Sequence, residues 1–144
     1  MAFTYSGLYV ATWIDILDTT QMAINLDLHT HKLAIYTDTK TPNYSTDAVY
    51  SATNEVTSDN YVAEGAVVDT TTLTESPTGT IMWDGDNVIW TPVTFVAHGG
   101  IIHATALTKE CIVGITFGGD YTATAGQFSV TWPATGILTL DVTP

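Results

Sequence analysis

The sequence predicts a mostly β protein, a single-domain antiparallel β-sandwich (jelly-roll-like) or a barrel with one short N-terminal helix. Three observations support this fold class. Thr, Val, Ile, Tyr and Trp are frequent, and such residues favour pleated, half-buried surfaces. Short apolar segments alternate with Gly, Pro, Asp and Asn turn signals, which suggests about eight short strands. The length of 144 residues fits one domain, so we assign residues 1–144 to a single unit.

The N-terminal helix is predicted over about residues 6–18. Ser6 is a plausible N-cap, because its hydroxyl can accept a hydrogen bond from a free backbone N–H of the first turn. A rough helical stripe follows, formed by Leu8, Thr12, Trp13, Ile16 and Leu17. The β-branched residues of this stretch weigh against a long helix.

The next segments read as a strand, a loop and a second β region. In the predicted strand His31–Tyr36, Leu33 and Ile35 share one face. Asp38–Asn54 is a long polar connection, and loops of this length inside a domain are often functional, so we expect it to contact a partner. The region around Tyr61–Leu73 returns to a β pattern.

The middle of the chain is predicted to form short strands separated by glycine-containing turns. Asp84-Gly85-Asp86 resembles a hairpin turn between two strands. Gly99-Gly100 and Gly118-Gly119-Asp120 are expected to end strands. The predicted strands of this region are Thr80–Trp83, Asn87–Trp90, Val93–Ala97, Ile101–Ala106 and Ile112–Phe117.

The last two predicted strands show the clearest alternation. In Gln127–Trp132 the apolar residues fall at every second position, as they do in Ile137–Val142. Pro133 ends the first of these strands and Gly136 turns the chain.

The charge balance excludes two classes of partner. The chain has 15 acidic residues against three cations and a net charge of −12. Phosphate backbones and anionic membranes are bound through several Lys or Arg, so we expect neither nucleic acid nor membrane as a partner. The first ten residues lack the pattern of a signal peptide, and we expect synthesis in a cytoplasm without export.

Two histidines and one acidic turn are the candidate metal ligands. His29 and His31 would share a face of a strand and could bind one ion with Asp27 or Asp38. His31 is two positions from Leu33 and therefore shares its face of the strand. This favours a His31 side chain at the border of the core. Asp84-Gly85-Asp86-Asn87 has oxygens suited to calcium, but it lacks the length of a calcium loop, and Asp and Gly are typical of a turn.

The remaining candidates for chemistry lack their partners. His98-Gly99-Gly100 and His103 could form an oxyanion-type site, but no matched nucleophile is visible. Gly118-Gly119-Asp120 has no phosphate-loop context. Cys111 lies in an apolar run and is expected to be a buried thiol. We therefore predict no catalytic, metal or cofactor residues and expect the protein not to be an enzyme.

Aromatic residues are the candidate interface anchors. Tyr and Trp are favoured at protein–protein contacts, and the chain carries more of them than its core strands require. At least half could pack in the core instead. The set comprises Tyr5, Tyr9, Trp13, Tyr36, Tyr44, Tyr50, Tyr61 and Tyr121.

Three segments of the C-terminal half carry a recognisable ending, namely Phe117–Tyr121, Ala125–Trp132 and Gly136–Leu140. They are similar to the ending GGD…G-x-F-x-V-x-W…G-I-x-T-L, and the chain thereby resembles a family of small virion structural proteins from tailed phages of actinobacteria and other bacteria. Upstream, three further segments are similar in order, namely Asn25–Tyr36, Asn54–Gly65 and Trp83–Trp90. The four histidines and Glu64 depart from the family pattern.

The resemblance implies a virion structural role without catalysis. We expect a protein that decorates or cements the capsid shell by binding the major capsid protein, as a homo-oligomer and preferably a trimer. Two alternatives stay open, a tail- or fibre-associated component and a glycan-binding module of the virion. The expected location is the phage particle.

Overall fold

A computed structural model describes residues 3–17 and 23–142 of the chain. The described residues form one helix and eight strands. These are β1 (Gly7–Leu8), α1 (Val10–Leu17), β2 (Lys32–Tyr36), β3 (Ala66–Val67), β4 (Thr72–Glu75), β5 (Thr80–Asp84), β6 (Val88–Ala104), β7 (Glu110–Val130) and β8 (Leu138–Asp141).

The strands form two antiparallel sheets, which confirms the predicted mostly β sandwich with one short helix. The larger sheet has the order β1-β7-β6-β2-β3 and the smaller one the order β4-β5-β8. The two sheets share no paired strands, so the alternative of a closed barrel is wrong. No helix in the described part of the chain is long and apolar enough to cross a bilayer.

The helix is shorter than predicted, because the residues before it pair with a strand. Gly7 and Leu8 form β1 opposite Gly114 and Val113 of β7. The hydroxyl of Ser6 accepts a hydrogen bond from the backbone N–H of Thr116 and caps no helix. The helix therefore begins at Val10 and ends at Leu17, while the predicted last residue, 18, lies outside the described residues.

Strands β6 and β7 form one long hairpin where the sequence predicted several short strands. Gly99 and Gly100 lie inside β6 because they pair with both β2 and β7, and neighbours occupy the space that a side chain would take at each position. A Cβ on Gly99 would lie 2.6 Å from the ring of Phe3. The Gly118-Gly119-Asp120 segment also stays within β7, as part of residues 117–120, which bulge opposite His98. A bulge keeps the strand but breaks its register.

Asp84–Asn87 joins the two sheets, so the predicted hairpin turn is wrong. Strand β5 pairs with β4 and β8, whereas β6 pairs with β2 and β7. The backbone carbonyl of Asp86 accepts a hydrogen bond from Trp132 Nε1 at 2.9 Å, and Asn87 Oδ1 accepts one from Trp132 N at 3.0 Å. The connection is held by these contacts rather than by pairing of its flanking strands.

Around β2 the five-stranded sheet is buried on both faces. Leu33 and Ile35 of β2 face the main core, as predicted, which also contains Trp83 of the smaller sheet. Ala34 and Tyr36 face a second, smaller core on the other side. That side is covered by the N-terminal segment and by the 38–54 connection, which places Tyr44 over Gly114.

Candidate interaction surface

Helix α1 presents an apolar outer face to solvent. Ile14 is 56% exposed and Leu17 is 78% exposed. An exposed apolar face is unusual on a surface helix, so the outer face of α1 is a candidate contact surface. The residues that line this outer groove are Leu8, Val10, Trp13, Ile14 and Leu17.

The position of α1 is set by contacts of its inner face with β7. Thr12 Oγ1 donates a hydrogen bond to the carbonyl of Cys111 at 2.6 Å, and Thr12 is buried. Trp13 Nε1 lies 3.4 Å from the carbonyl of Ile112. These contacts, together with the buried ring of Tyr9, orient Ile14 and Leu17 outward.

The small sheet adds a second apolar area. Cross-strand pairing places Trp83 between Leu73 and Leu138, and it places Ile81 beside Leu140. Side chains two positions apart share a face, so all five lie on one side of the sheet. Trp83 is fully buried and donates from Nε1 to the carbonyl of Leu26 at 2.8 Å, which fixes the base of this face.

The helix and the small sheet border one groove of about 280 Å³. Trp13 lines both this groove and the outer groove of α1, so the two apolar areas are continuous. The surface α1/small sheet is defined here by its exposed members, which are Leu8, Val10, Ile14, Leu17, Leu73, Ile81 and Leu140.

The surface α1/small sheet is large for an isolated chain. From the exposed fractions of its members, the surface presents on the order of 600 Å² of accessible area, backbone included, which is at the upper end for the largest apolar patch of a monomer. A standard protein–protein contact buries about 800 Å² on each partner. The area therefore approaches the share that one partner contributes to a standard interface.

The three lysines lie away from this surface and already have acidic partners. Lys32 and Lys109 both contact Glu64, at 3.6 and 2.5 Å, and Lys40 lies 3.8 Å from Asp47. The Lys109 ammonium beside Glu64 holds the pKa of that carboxyl below its usual value.

A polar network fastens the 38–65 segment to the large sheet. Glu55 Oε1 accepts hydrogen bonds from Tyr61 Oη at 2.6 Å and from the backbone N–H of Glu64 at 2.9 Å. Glu55 Oε2 accepts a further one from Tyr50 Oη. Tyr61 Oη in turn accepts from the backbone N–H of Ile35 at 2.9 Å. Because its carboxylate accepts three hydrogen bonds, Glu55 is a structural anchor for the 38–65 segment.

Two histidines are buried beside β2: His103 of β6 packs against Tyr50 under this covering, whereas His31 packs against Trp83 in the main core. His103 Nε2 lies 3.1 Å from the carbonyl of Glu64, and His31 Nε2 lies 2.8 Å from the carbonyl of Asn25. A carbonyl only accepts, so Nε2 carries the proton in each ring. Their Nδ1 atoms are buried without a partner among the described residues. Burial lowers the pKa of both imidazoles.

The structure separates the proposed metal ligands. His31 packs edge-on against Trp83, as its parity predicted, whereas His29 is exposed and pairs with Asp69 at 3.3 Å. Within residues 3–17 and 23–142, no group of three His, Cys, Asp or Glu could hold a metal ion.

The other candidates lie apart from one another. His98 Nδ1 is 2.6 Å from Asp120 Oδ1 across the β7 bulge, while His103 lies in the second core. Asp86 accepts from Thr70 Oγ1 at 2.8 Å within the connection between the sheets. Cys111 is buried, as predicted, and burial raises the pKa of its thiol to about 12.

The aromatic residues divide into buried and exposed groups. Tyr9, Tyr36 and Tyr61 are buried, so their assignment as interface anchors is wrong. Tyr5 and Tyr121 are exposed, while Tyr44 and Tyr50 pack partly against the second core. Only Trp13 of the predicted set lines the surface α1/small sheet.

Sequence reasoning missed most of this surface, although part of the signal was present. Residues 8–17 contain a single charged residue, Asp15, which is unusual for a helix with one solvated face. No comparable signal marked Leu73 or Ile81, because their exposure depends on what the small sheet leaves uncovered.

No family model, curated protein or solved structure matches this chain. The similarity to phage virion proteins therefore stays a prediction from sequence motifs.

Proposed function

We propose that the protein is a structural component of a tailed-phage particle that decorates or cements the capsid shell. It acts through contacts with the major capsid protein rather than through catalysis. The observation that carries the proposal is the continuous apolar surface α1/small sheet on a chain that is otherwise strongly acidic. An apolar surface of this size favours a permanent contact with another protein.

The rest of the molecule suits a shell component. The long β6–β7 hairpin and the Glu55 network make a rigid scaffold for a preformed binding face. A net charge of −12 keeps free copies soluble and would keep finished particles apart. Assembly into trimers at lattice symmetry points is the oligomeric form that we propose with this role.

Quantitative mass spectrometry of purified particles tests the role. A ratio to the major capsid protein near one, or near another simple lattice fraction, is expected for a decoration protein. A handful of copies per particle would assign the chain to the tail or to a vertex. Absence from the particles would refute the structural role.

A glycan-binding module of the virion is the second candidate. It is favoured by an open cleft of about 240 Å³ beside the β7 bulge, lined by aromatic rings and hydroxyl groups. Phe117 packs edge-on against Tyr121, which is 55% exposed and free to stack on a sugar. Glycan-array binding that Tyr121→Ala abolishes would support this candidate, and an array without binders would remove it.

A further inference from the structure

We propose that the surface α1/small sheet takes an apolar segment flanked by Lys or Arg from a different protein, rather than a second copy of this chain. The inference rests on the proposed function, since it names the chemistry of the partner that the structural role requires. It is carried by the contrast between the apolar centre of this surface and the charges beside it.

The centre of the surface is apolar and bounded by walls. Trp13 and Ile16 of the helix form one wall, and Leu73, Ile81 and Leu140 form the other. Burial of such side chains contributes roughly 25 cal/mol per Å², so a segment that fills the groove must itself be apolar. The apolar groove thus requires an apolar centre in the partner segment, and the rim sets the charge that is favourable at the ends of that segment.

The rim carries carboxylates. Asp27 is exposed and follows Leu26, which lines the groove. Glu75 lies opposite Ile81 on the same face of the small sheet. No lysine is among the residues that line either groove. A partner that presents Lys or Arg at the ends of its apolar segment would complement these carboxylates.

A second copy of this chain cannot supply those cations. The chain has three lysines and no arginine, and each lysine contacts an acid of its own chain. Lys40 and Lys109 also lie over the rings of Tyr36 and Tyr50, on the face of the large sheet that bears the second core. Two copies joined through this surface would bring two chains of charge −12 together with acids at both rims.

The sign of the salt dependence separates the two occupants. Salt screens attraction between the acidic rim and a basic partner, so heterotypic binding weakens as salt rises. Salt also screens the repulsion between two acidic copies, so a self-association through this surface would instead strengthen as salt rises. A trimer of this chain would therefore have to use another surface.

The test measures binding of labelled peptides to the full chain by fluorescence anisotropy. One set of peptides has leucine-rich centres and lysines at both ends, and a matched set has glutamates at the ends. We expect the lysine set to bind, more weakly at high salt, and the glutamate set to bind at least tenfold more weakly. Sedimentation velocity of the chain alone should show no self-association through this surface at low or high salt.

Two variants locate the binding. Ile14→Ser should weaken the lysine peptides at least tenfold, because Ile14 is 56% exposed and lines the outer groove. Ile89→Ser is the matched control, since Ile89 is 53% exposed on β6 and lines neither groove. Thermal melting confirms that both variants fold.

Several results would overturn the inference. These are equal binding of both peptide sets, binding of neither set, an equal effect of the two variants, or self-association that Ile14→Ser removes. Binding of phosphatidylcholine vesicles that depends on Ile14 would assign the surface to lipid instead. Absence of the chain from phage particles would refute the proposed function alone and would leave the peptide result standing.

Discussion

Gly65 is the position where the structure allows the sharpest prediction about stability. It has a φ of +80° and immediately precedes β3, the strand that pairs with β2 through Ala66 and Leu33. A Cβ at Gly65 would lie 1.7 Å from the carbonyl oxygen of Leu33 and 2.7 Å from Cα of Ala34. The substitution Gly65→Ala therefore introduces both backbone strain and a collision with backbone that cannot rotate away.

The two contributions can be estimated separately. The positive φ costs an alanine about 1 kcal/mol. Relief of the collision requires a shift of roughly 1.5–2 Å, since carbon atoms prefer to stay about 3.5 Å from their neighbours. That shift pulls β3 from β2 and removes the N–H of Glu64 from Glu55, at about 0.5–1.5 kcal/mol for each hydrogen bond lost. We expect a total loss of at least about 3 kcal/mol, a large part of the stability of a typical domain.

Gly118→Ala is the matched control. Gly118 has a φ of +77°, almost the same as Gly65, but no atom lies within 4 Å of the added Cβ. The control should lose only the backbone contribution of about 1 kcal/mol. Urea denaturation followed by tryptophan fluorescence measures both variants. Equal losses, or a loss below about 1.5 kcal/mol in Gly65→Ala, would refute the reasoning from close backbone contact.

Three further predictions concern ionisable groups. Burial lowers the pKa of His31 and His103, so the unfolded chain binds more protons below about pH 6.5, and stability should fall on acidification by up to ~1.4 kcal/mol per pH unit for each ring. His103→Gln should flatten the dependence of the urea midpoint between pH 7 and 5, and an unchanged slope would count against this cause. The Cys111 thiol should react with a disulfide reagent at pH 8 only after unfolding, because its pKa is raised to about 12, and rapid reaction of the folded chain would contradict its burial. Glu55→Gln should lose about 1–3 kcal/mol in urea denaturation, because an amide cannot accept all three hydrogen bonds. Glu64→Gln, which breaks partly exposed ion pairs, should lose less than about 1 kcal/mol, and the reverse order would contradict the anchoring role of Glu55.

The motifs behind the family resemblance have structural roles in this fold. Asn54 has a φ of +66°, and Glu55 and Tyr61 belong to the network that anchors the long connection. The Gly118-Gly119 pair lies in the bulge of β7. These residues therefore form turns, anchors and a bulge of the fold. Their roles give no information about a binding partner.

The fold class followed from the sequence because alternation and β-branched composition are local properties. Leu33 and Ile35 faced the main core as their parity required, and Cys111 was buried as its apolar run indicated. The charge of −12 and the short apolar helix were equally visible, since both follow from the order of residues alone.

Only the tertiary structure decided where strands ended and which apolar residues stayed exposed. Gly99 looked like a turn, yet it continues a strand because it pairs with Tyr36 of β2 and Thr116 of β7, and the ring of Phe3, 96 positions earlier, fills the space of a side chain there. Tyr36 looked like a surface anchor, yet the 38–54 connection buries it. The surface α1/small sheet depends on the same kind of long-range contact. Local patterns state which residues prefer burial, but the total area that the other elements cover determines which of them remain available to a partner.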